Sequence, residues 1–249
     1  MTKIISLFNQ SGGVGKSTLT MNLGYHLAEK DQKVLLIDID PQGSLTTFMG
    51  LEPNELDKTI YNAIIFDEPL PIHHQLHHMD LTPANIDLSG AELELVMADL
   101  RDFRLKQALE PVQSQYDFIL LDCPPSLGLL SYISLVAATH VLIPIQAEYK
   151  ALRGTELLFQ TIRRVKKGAN KKLRIAGFVP TMYNARTIHS EKSLQAIKEL
   201  AKLGEVFPAI PRTVVFADAS QKQIPLAKYE PKHSVVTLMK QIANSLSNQ

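Results

Sequence analysis

The 249-residue sequence has one cysteine, Cys123, which excludes a disulfide framework and suits a reducing compartment. It has no apolar run near the roughly 20 residues that a membrane span needs. The N-terminus enters a strand-like run at once, with no leader pattern, so a cytoplasmic location is expected. Repeats, low-complexity tracts and linkers are missing as well. With 45% hydrophobic and 20% charged residues, one core is affordable and one domain over residues 1–249 is expected.

Strong net charge is also lacking, at +1, but the near-neutral total hides a segregation. Leu51 to Cys123 carries 14 acidic and 4 basic residues, a net of −10. Leu157 to Ser190 carries no Asp or Glu and 8 cations: Arg163, Arg164, Lys166, Lys167, Lys171, Lys172, Arg174 and Arg186. A neutral protein can thus present a local face to a polyanion.

What is present centres on Asn9 to Thr18, NQSGGVGKST. It lies between a strand-like run, Lys3 to Phe8, and a segment of helical spacing, with Leu19, Leu23, Leu27 and Ala28. Strand, glycine turn, Gly-Lys-Ser and helix is the order of a phosphate-binding loop. Gly12, Gly13 and Gly15 let backbone N–H groups close on phosphate oxygens, and a helix starting near Lys16 aims its dipole at the anion. Lys16 supplies a point charge and the Ser17 hydroxyl a ligand for Mg²⁺. The strict pattern asks for glycine at position 10, where this chain has Gln10, so the loop is a deviant form.

Further along, Lys33 to Asp40 (KVLLIDID) and Tyr116 to Pro125 (YDFILLDCPP) are continuous apolar runs ending in carboxylates, Asp38 and Asp40 in one and Asp122 in the other. Such runs suit parallel strands buried on both faces, whose carboxyl ends hold ligands. Asp122 is placed to hold Mg²⁺ through water. Val141 to Ile145 and Arg174 to Val179 read as further strands, and Glu191 to Leu203 and Val235 to Leu246 as helices. The alternation predicts an α/β fold of three layers, a mostly parallel twisted sheet with helices on both faces. Leu51 to Gln115 is the least legible region. Thr59 to Phe66 reads as a short helix. His73, His74, His77 and His78 fall in an expected surface loop after Pro69 and Pro71. Ala91 to Leu109 has a helical face of Leu93, Val96, Leu100, Leu105 and Leu109.

NQSGGVGKST, LLIDIDPQGS, FILLDCPPSLG, IPIQAEYKALRG, VPTMYNAR and IPRTVVFADA, in that order over nearly the whole chain, resemble the ParA/MinD deviant-Walker ATPases, in their ParA branch. The resemblance implies ATP and Mg²⁺ as cofactors, an ATP-sandwich homodimer, nonspecific DNA binding on the nucleoid, and slow hydrolysis stimulated by a cargo-bound adaptor protein. It implies that Ser11, Gly12, Gly13, Val14, Gly15, Lys16, Ser17 and Thr18 hold the phosphates, and that Asp38 and Asp40 orient water and the metal shell. Asp40 is favoured for the attacking water, with Ser17, Asp38 and Asp122 around the metal. Met182, Asn184, Pro211 and Arg212 match loops that flank the adenine and ribose. Lys222, Lys228 and Lys232 join the basic run as candidate DNA contacts.

One departure stands out. The family's signature lysine aligns with Ser11, which cannot supply a cation. The chain either binds ATP without hydrolysing it, or dispenses with the charge, or supplies it from elsewhere. Lys150 is the candidate replacement, just past a strand end, with Arg153 in reserve. The serine resembles the carboxysome-positioning members of the branch, McdA, with chromosome or plasmid partition as the alternative. A MinD-like membrane role would need a basic amphipathic last helix, and that helix carries only Lys240. An iron–sulfur reductase needs two cysteines, and a GTPase needs an N-K-x-D motif, where Asn170-Lys171 continues Lys172-Leu173.

Overall fold

The computed structural model describes residues 2–148 and 154–249. Lys150 and Arg153 lie outside the described residues. The strands are β1 (Lys3–Leu7), β2 (Val34–Asp38), β3 (His73–Leu76), β4 (Met79–Thr82), β5 (Phe118–Asp122), β6 (His140–Gln146), β7 (Arg174–Thr181) and β8 (Glu205–Val206). They form one sheet in the order β3-β4-β2-β5-β1-β6-β7-β8. Every neighbouring pair is parallel except β3–β4. Every residue of β2 and β5 is buried, which explains runs without polar alternation.

The helices are α1 (Lys16–Ala28), α2 (Ser44–Phe48), α3 (Ile60–Ile65), α4 (Leu88–Met97), α5 (Arg104–Leu109), α6 (Leu129–Ala137), α7 (Thr155–Lys167), α8 (Ile188–Lys198), α9 (Val215–Gln221), α10 (Leu226–Tyr229) and α11 (Ser234–Asn248). One face of the sheet packs against α1, α2, α9, α10 and α11 through Leu23, Leu45, Ala219, Leu226 and Met239. The other packs against α3 to α7 through Ile64, Leu95, Leu109, Ile133 and Ile162. The three layers of the expected α/β fold are therefore present. In α1, Gly24 leaves no room for a side chain: a Cβ there would stand 2.8 Å from both Leu36 Cδ2 and Met79 Sδ, so the helix lies close on β2 and β4. Asparagine at 170 has a structural use, since its amide donates to the carbonyls of Leu135, Val136 and Ala138 and closes the end of α6.

Two expectations are corrected between residues 51 and 115. The histidine segment is not a loop. It is a β-hairpin on the sheet edge, turning at His77 and His78, which both take positive φ (54° and 69°). No Asn-Gly or Asp-Gly pair announces that turn. The segment Ala91–Leu109 is not one helix with the predicted face. Ala98 adopts extended backbone and ends α4, and the buried side of α4 is Leu88, Ala91 and Leu95. Leu93, Val96 and Leu100 are exposed, at 79%, 53% and 63%, while Leu105 and Leu109 are buried as expected. The helix break resets the phase, so spacing carried across it names the wrong side.

Candidate functional site

Parallel strands β1, β2 and β5 bring three chain turns to one sheet edge. Leu7 of β1 and Asp38 of β2 both pair with Asp122 of β5. The turn after β1 is the glycine loop, which runs into α1 with Gly15 at its N-cap. Gly13 and Gly15 have φ of 70° and 89°, the left-handed region that favours glycine. Gly12 is under no such demand, since a Cβ there would make only ordinary contact with Pro125 Cβ at 3.8 Å.

The loop is held from outside by its carbonyls. Lys16 Nζ donates to Ser11 O (3.1 Å), Gln146 Nε2 to Gly13 O (3.1 Å) and Thr181 Oγ1 to Val14 O (3.0 Å). Asn9 Oδ1 accepts from Ser11 N (2.9 Å) while Asn9 Nδ2 donates to Pro144 O (2.6 Å). With those carbonyls occupied, the intervening N–H groups form the concave nest that suits an anion at a helix start. Lys16 is buried, and its desolvation lowers its pKa from the ordinary lysine value; Asp122 and Asp40 pull it back up.

The carboxylates differ. Asp38 Oδ1 accepts from Asp40 N (3.1 Å), and Oδ2 accepts from Thr46 N (2.9 Å) and Thr46 Oγ1 (2.8 Å). Burial nevertheless raises its pKa to about 6. Asp122 is fully buried, and neither oxygen has a partner at hydrogen-bond geometry among the described residues. Burial and the Asp38 charge push its pKa well above the carboxylate range, against smaller opposing effects of the Ser17 hydroxyl and Lys16. Among the described residues the Asp40 carboxylate accepts from Gln42 N alone (3.0 Å), and burial raises its pKa while Lys16 lowers it. An orphaned carboxylate facing the Ser17 hydroxyl at an anion nest is the all-oxygen donor set that Mg²⁺ takes with phosphates. The residues fit that ion.

Beside the loop lies a cavity of about 480 Å³. Val14 and Thr18 form one wall, and Met182 and Pro211 another, with Phe48 and Phe216 extending it. Tyr183 pairs with Pro211 as an isolated parallel bridge, which brings the two loops together. Of the four residues expected at the base, Met182 and Pro211 line this cavity. Asn184 and Arg212 are exposed and are not among its lining residues. Asn184 instead folds on its own loop, accepting from Arg186 N (3.0 Å). Gln146, Thr181, Thr46 and the two phenylalanines were not foreseen. Gln146 sits in a quoted motif, but its contact with Gly13 spans 133 residues and has no local signal.

The candidate DNA contacts do not share one face. Arg163, Arg164, Lys166 and Lys167 project from α7, Lys171 and Lys172 follow it, and Arg174 opens β7, on the α3–α7 side. Lys222, Lys228 and Lys232 are exposed around α9 to α11, in the opposite layer. Arg186 lies in the loop before α8.

Comparisons with known proteins follow this geometry. Residues 2–175 match the AAA-domain family. The chain is 40% identical over 233 residues to the chromosome partitioning protein ParA of Myxococcus xanthus (strain DK1622), covering 92% of this chain and 82% of that one. Among solved structures, an ATP complex of the D38A variant of McdA from Cyanothece superposes with a TM-score of 0.88 at 26% identity, over 98% of this chain and 96% of that one. A Mycobacterium smegmatis structure described as a cobyrinic acid a,c-diamide synthase, with bound ATP analogue and magnesium, superposes at 0.82 and 37% identity, over 89% and 92% of the two chains.

Proposed function

Since the chain belongs to the ParA/MinD-type ATPases, we propose that it is an ATP-switched, nonspecific-DNA-binding ATPase that positions or segregates a cargo on the nucleoid. The observation that carries the reading is the strand-end site. A glycine loop with its carbonyls tied back stands beside an orphaned Asp122 and an apolar cavity sized for a base. In this reading the loop from Ser11 to Thr18 takes the phosphates of ATP, and Lys16 neutralises their charge. Ser17 and Asp122 hold Mg²⁺, which supplies charge neutralisation at the transferred phosphoryl group. Both oxygens of Asp38 are engaged, so Asp38 braces this set from behind. Asp40, with one hydrogen bond to its backbone neighbour, is the group left to orient water.

Ser11 leaves a cation to be found. Gln146 Nε2 holds Gly13 O, and Gln10 Nε2 holds Gly154 O at 2.9 Å. Both flanks of residues 149–153 are thus tied to the loop, which supports Lys150 as the supplier. Lys150→Ala is expected to abolish ATP-dependent dimerisation and hydrolysis, and Ser11→Lys to restore them in that background. Normal activity in Lys150→Ala refutes the assignment.

ATP bridging two subunits doubles the cations offered to DNA, and hydrolysis, stimulated by a cargo-bound adaptor, returns weakly bound monomers. Retention on DNA with ATP, with ADP and without nucleotide, across salt, tests the switch. Retention that ignores the nucleotide ends this reading. The cargo has two readings. Ser11 favours carboxysomes, and the 40% identity to a chromosome partitioning protein favours partition. Imaging carboxysomes and replication origins after deletion separates them. A membrane role is disfavoured because the apolar face of α11 is spent on the core, with Val235, Met239, Ile242 and Leu246 buried.

A further inference from the structure

Helix α4 has two apolar sides, and the fold uses only one. Leu88, Ala91 and Leu95 are buried in the core. Leu93, Val96 and Met97, spaced i, i+3 and i+4, share the opposite side and stand in solvent, Met97 at 87% exposure. Leu100, also exposed, follows just past the helix end and lines a groove of about 590 Å³ with Leu70, Ala108 and Val112. Large apolar side chains scattered singly over a surface need no explanation, but four together on one helix side, opening on a groove, mark a contact surface. Apolar anchors at that spacing are how one helix engages another in helix-in-groove recognition.

The helix that carries the stripe is held as a platform. Glu92 Oε1 accepts from Leu130 N (3.2 Å) at the start of α6. Its carboxylate lies so close over Gly128 that no Cβ would fit there. Tyr61 of α3 donates from its hydroxyl to Glu94 Oε1 (2.9 Å), and the exposed Phe66 ring packs edge-on against Tyr61 at 5.6 Å between centroids. The stripe is therefore presented by a helix fixed from both sides, so a partner need not order it.

The charge around the stripe says what kind of partner it suits. Asp87 to Leu100 carries four acids, Asp87, Glu92, Glu94 and Asp99, and no cation. The next cations along the chain are spent: Arg101 pairs with Asp102 (3.6 Å) and Arg104 with Asp67. Among the described residues Asp99 is in no ion pair. A second copy docking here by a two-fold contact would set this patch against itself, acid against acid. A basic partner meets the same acids with complementary charge.

We propose that the α4 stripe and the groove beside Leu100 form a docking surface for a basic amphipathic helix of another protein, with its apolar side on Leu93, Met97 and Leu100 and its cations facing Glu94 and Asp99. This surface goes beyond the DNA-switch reading and stands or falls without it, since neither nucleotide nor DNA enters the argument.

The probe is a fluorescent designed helix of about four turns, with leucines at i, i+3, i+4 and i+7 and lysines elsewhere. Controls replace every lysine by glutamate, or scramble the order so that no apolar stripe forms. The full-length protein without nucleotide should bind the lysine helix, more weakly as salt rises, and bind either control at least about tenfold less well. Hydrogen exchange should slow in α4 on binding. Leu93→Ser/Met97→Ser should weaken binding at least about tenfold, as truncation of central anchors does. Glu94→Gln/Asp99→Asn should weaken it by about threefold, as loss of rim charges does. An unchanged urea midpoint in the serine variant shows that its fold is kept. If wild type fails to bind the lysine helix, or the serine variant binds it like wild type, or the glutamate helix binds equally well, the inference is overturned. Sedimentation supplies the remaining arm: self-association of the nucleotide-free wild type that the serine variant lacks would assign the stripe to a second copy and overturn it too.

Discussion

Two neighbouring strands end in aspartate at the same register and treat it in opposite ways. At the end of β2, Asp38 has both oxygens bonded, and its partner Thr46 also accepts from Ala84 N (3.0 Å). It locks strand, α2 and the loop after β4 into one piece. At the end of β5, Asp122 is as deeply buried but, with the Ser17 hydroxyl facing it, has no partner at hydrogen-bond geometry among the described residues. Burial alone therefore does not assign a carboxylate its role; the donors around it do. One is a brace, and the other is an unmet electrostatic demand that a cation can satisfy.

The largest test of that contrast is Asp122→Asn. Hydrolysis of ATP should fall at least about a hundredfold through loss of metal-borne charge stabilisation. The nucleotide-free protein should meanwhile gain about 1–2 kcal/mol in urea unfolding, because the cost of burying an unpartnered ionisable carboxyl is gone. Asp38→Ala should do the reverse in the nucleotide-free protein, losing about 2–3 kcal/mol. Equal stability changes at the two positions would erase the distinction.

Proton linkage sharpens it. The folded-state pKa of Asp38 is about 6 against an ordinary 3.8, so the folded protein binds that proton more tightly than the unfolded chain. Stability from this group is present below about pH 4 and declines as pH rises to about 6, by up to about 3 kcal/mol. Urea melts across this window should show the decline in wild type and a flatter profile in Asp38→Asn. A smaller effect is expected from Thr46→Val, which strips a donor from Asp38 and an acceptor from Ala84 and should cost about 1–2 kcal/mol in thermal or urea unfolding. The smallest belongs to a position remote from both strand ends. Leu93→Ser, on the exposed side of α4, should change stability by no more than about 0.5 kcal/mol, and a larger loss in the same urea assay would show that α4 is packed there after all.

The strand-end site was legible because its physics is local. A buried run ending in a carboxylate, or a glycine loop between strand and helix, declares itself within ten residues or so, as Lys33–Asp40 and Asn9–Thr18 do. What stayed hidden depends on distant partners. The edge hairpin is stabilised across strands, through His74–Asp80 and Tyr116–Asp80 contacts that no local periodicity encodes. The α4 face was misread because Ala98 ends the helix, so the phase set by the buried Leu105 and Leu109 does not carry back to Leu93 and Val96. Asn184 and Arg212 were expected, from the resemblance, in loops that flank adenine and ribose; Met182 and Pro211 of those loops line the cavity, whereas these two are exposed. The basic residues were read as a charge count, which carries no information about which layer each helix joins.

One clasp has a consequence for how the molecule is made. Lys3 Nζ donates to Leu246 O (2.8 Å) and reaches Ser247 O (3.4 Å), tying β1 to the end of α11, and Met239 of that helix lines the base cavity. During synthesis the glycine loop leaves the ribosome early, and the Met239 wall comes only with α11. A nascent chain holding the loop but lacking α11 has an unfinished pocket, and nucleotide affinity should therefore mature in step with the docking of α11, as a late checkpoint of assembly.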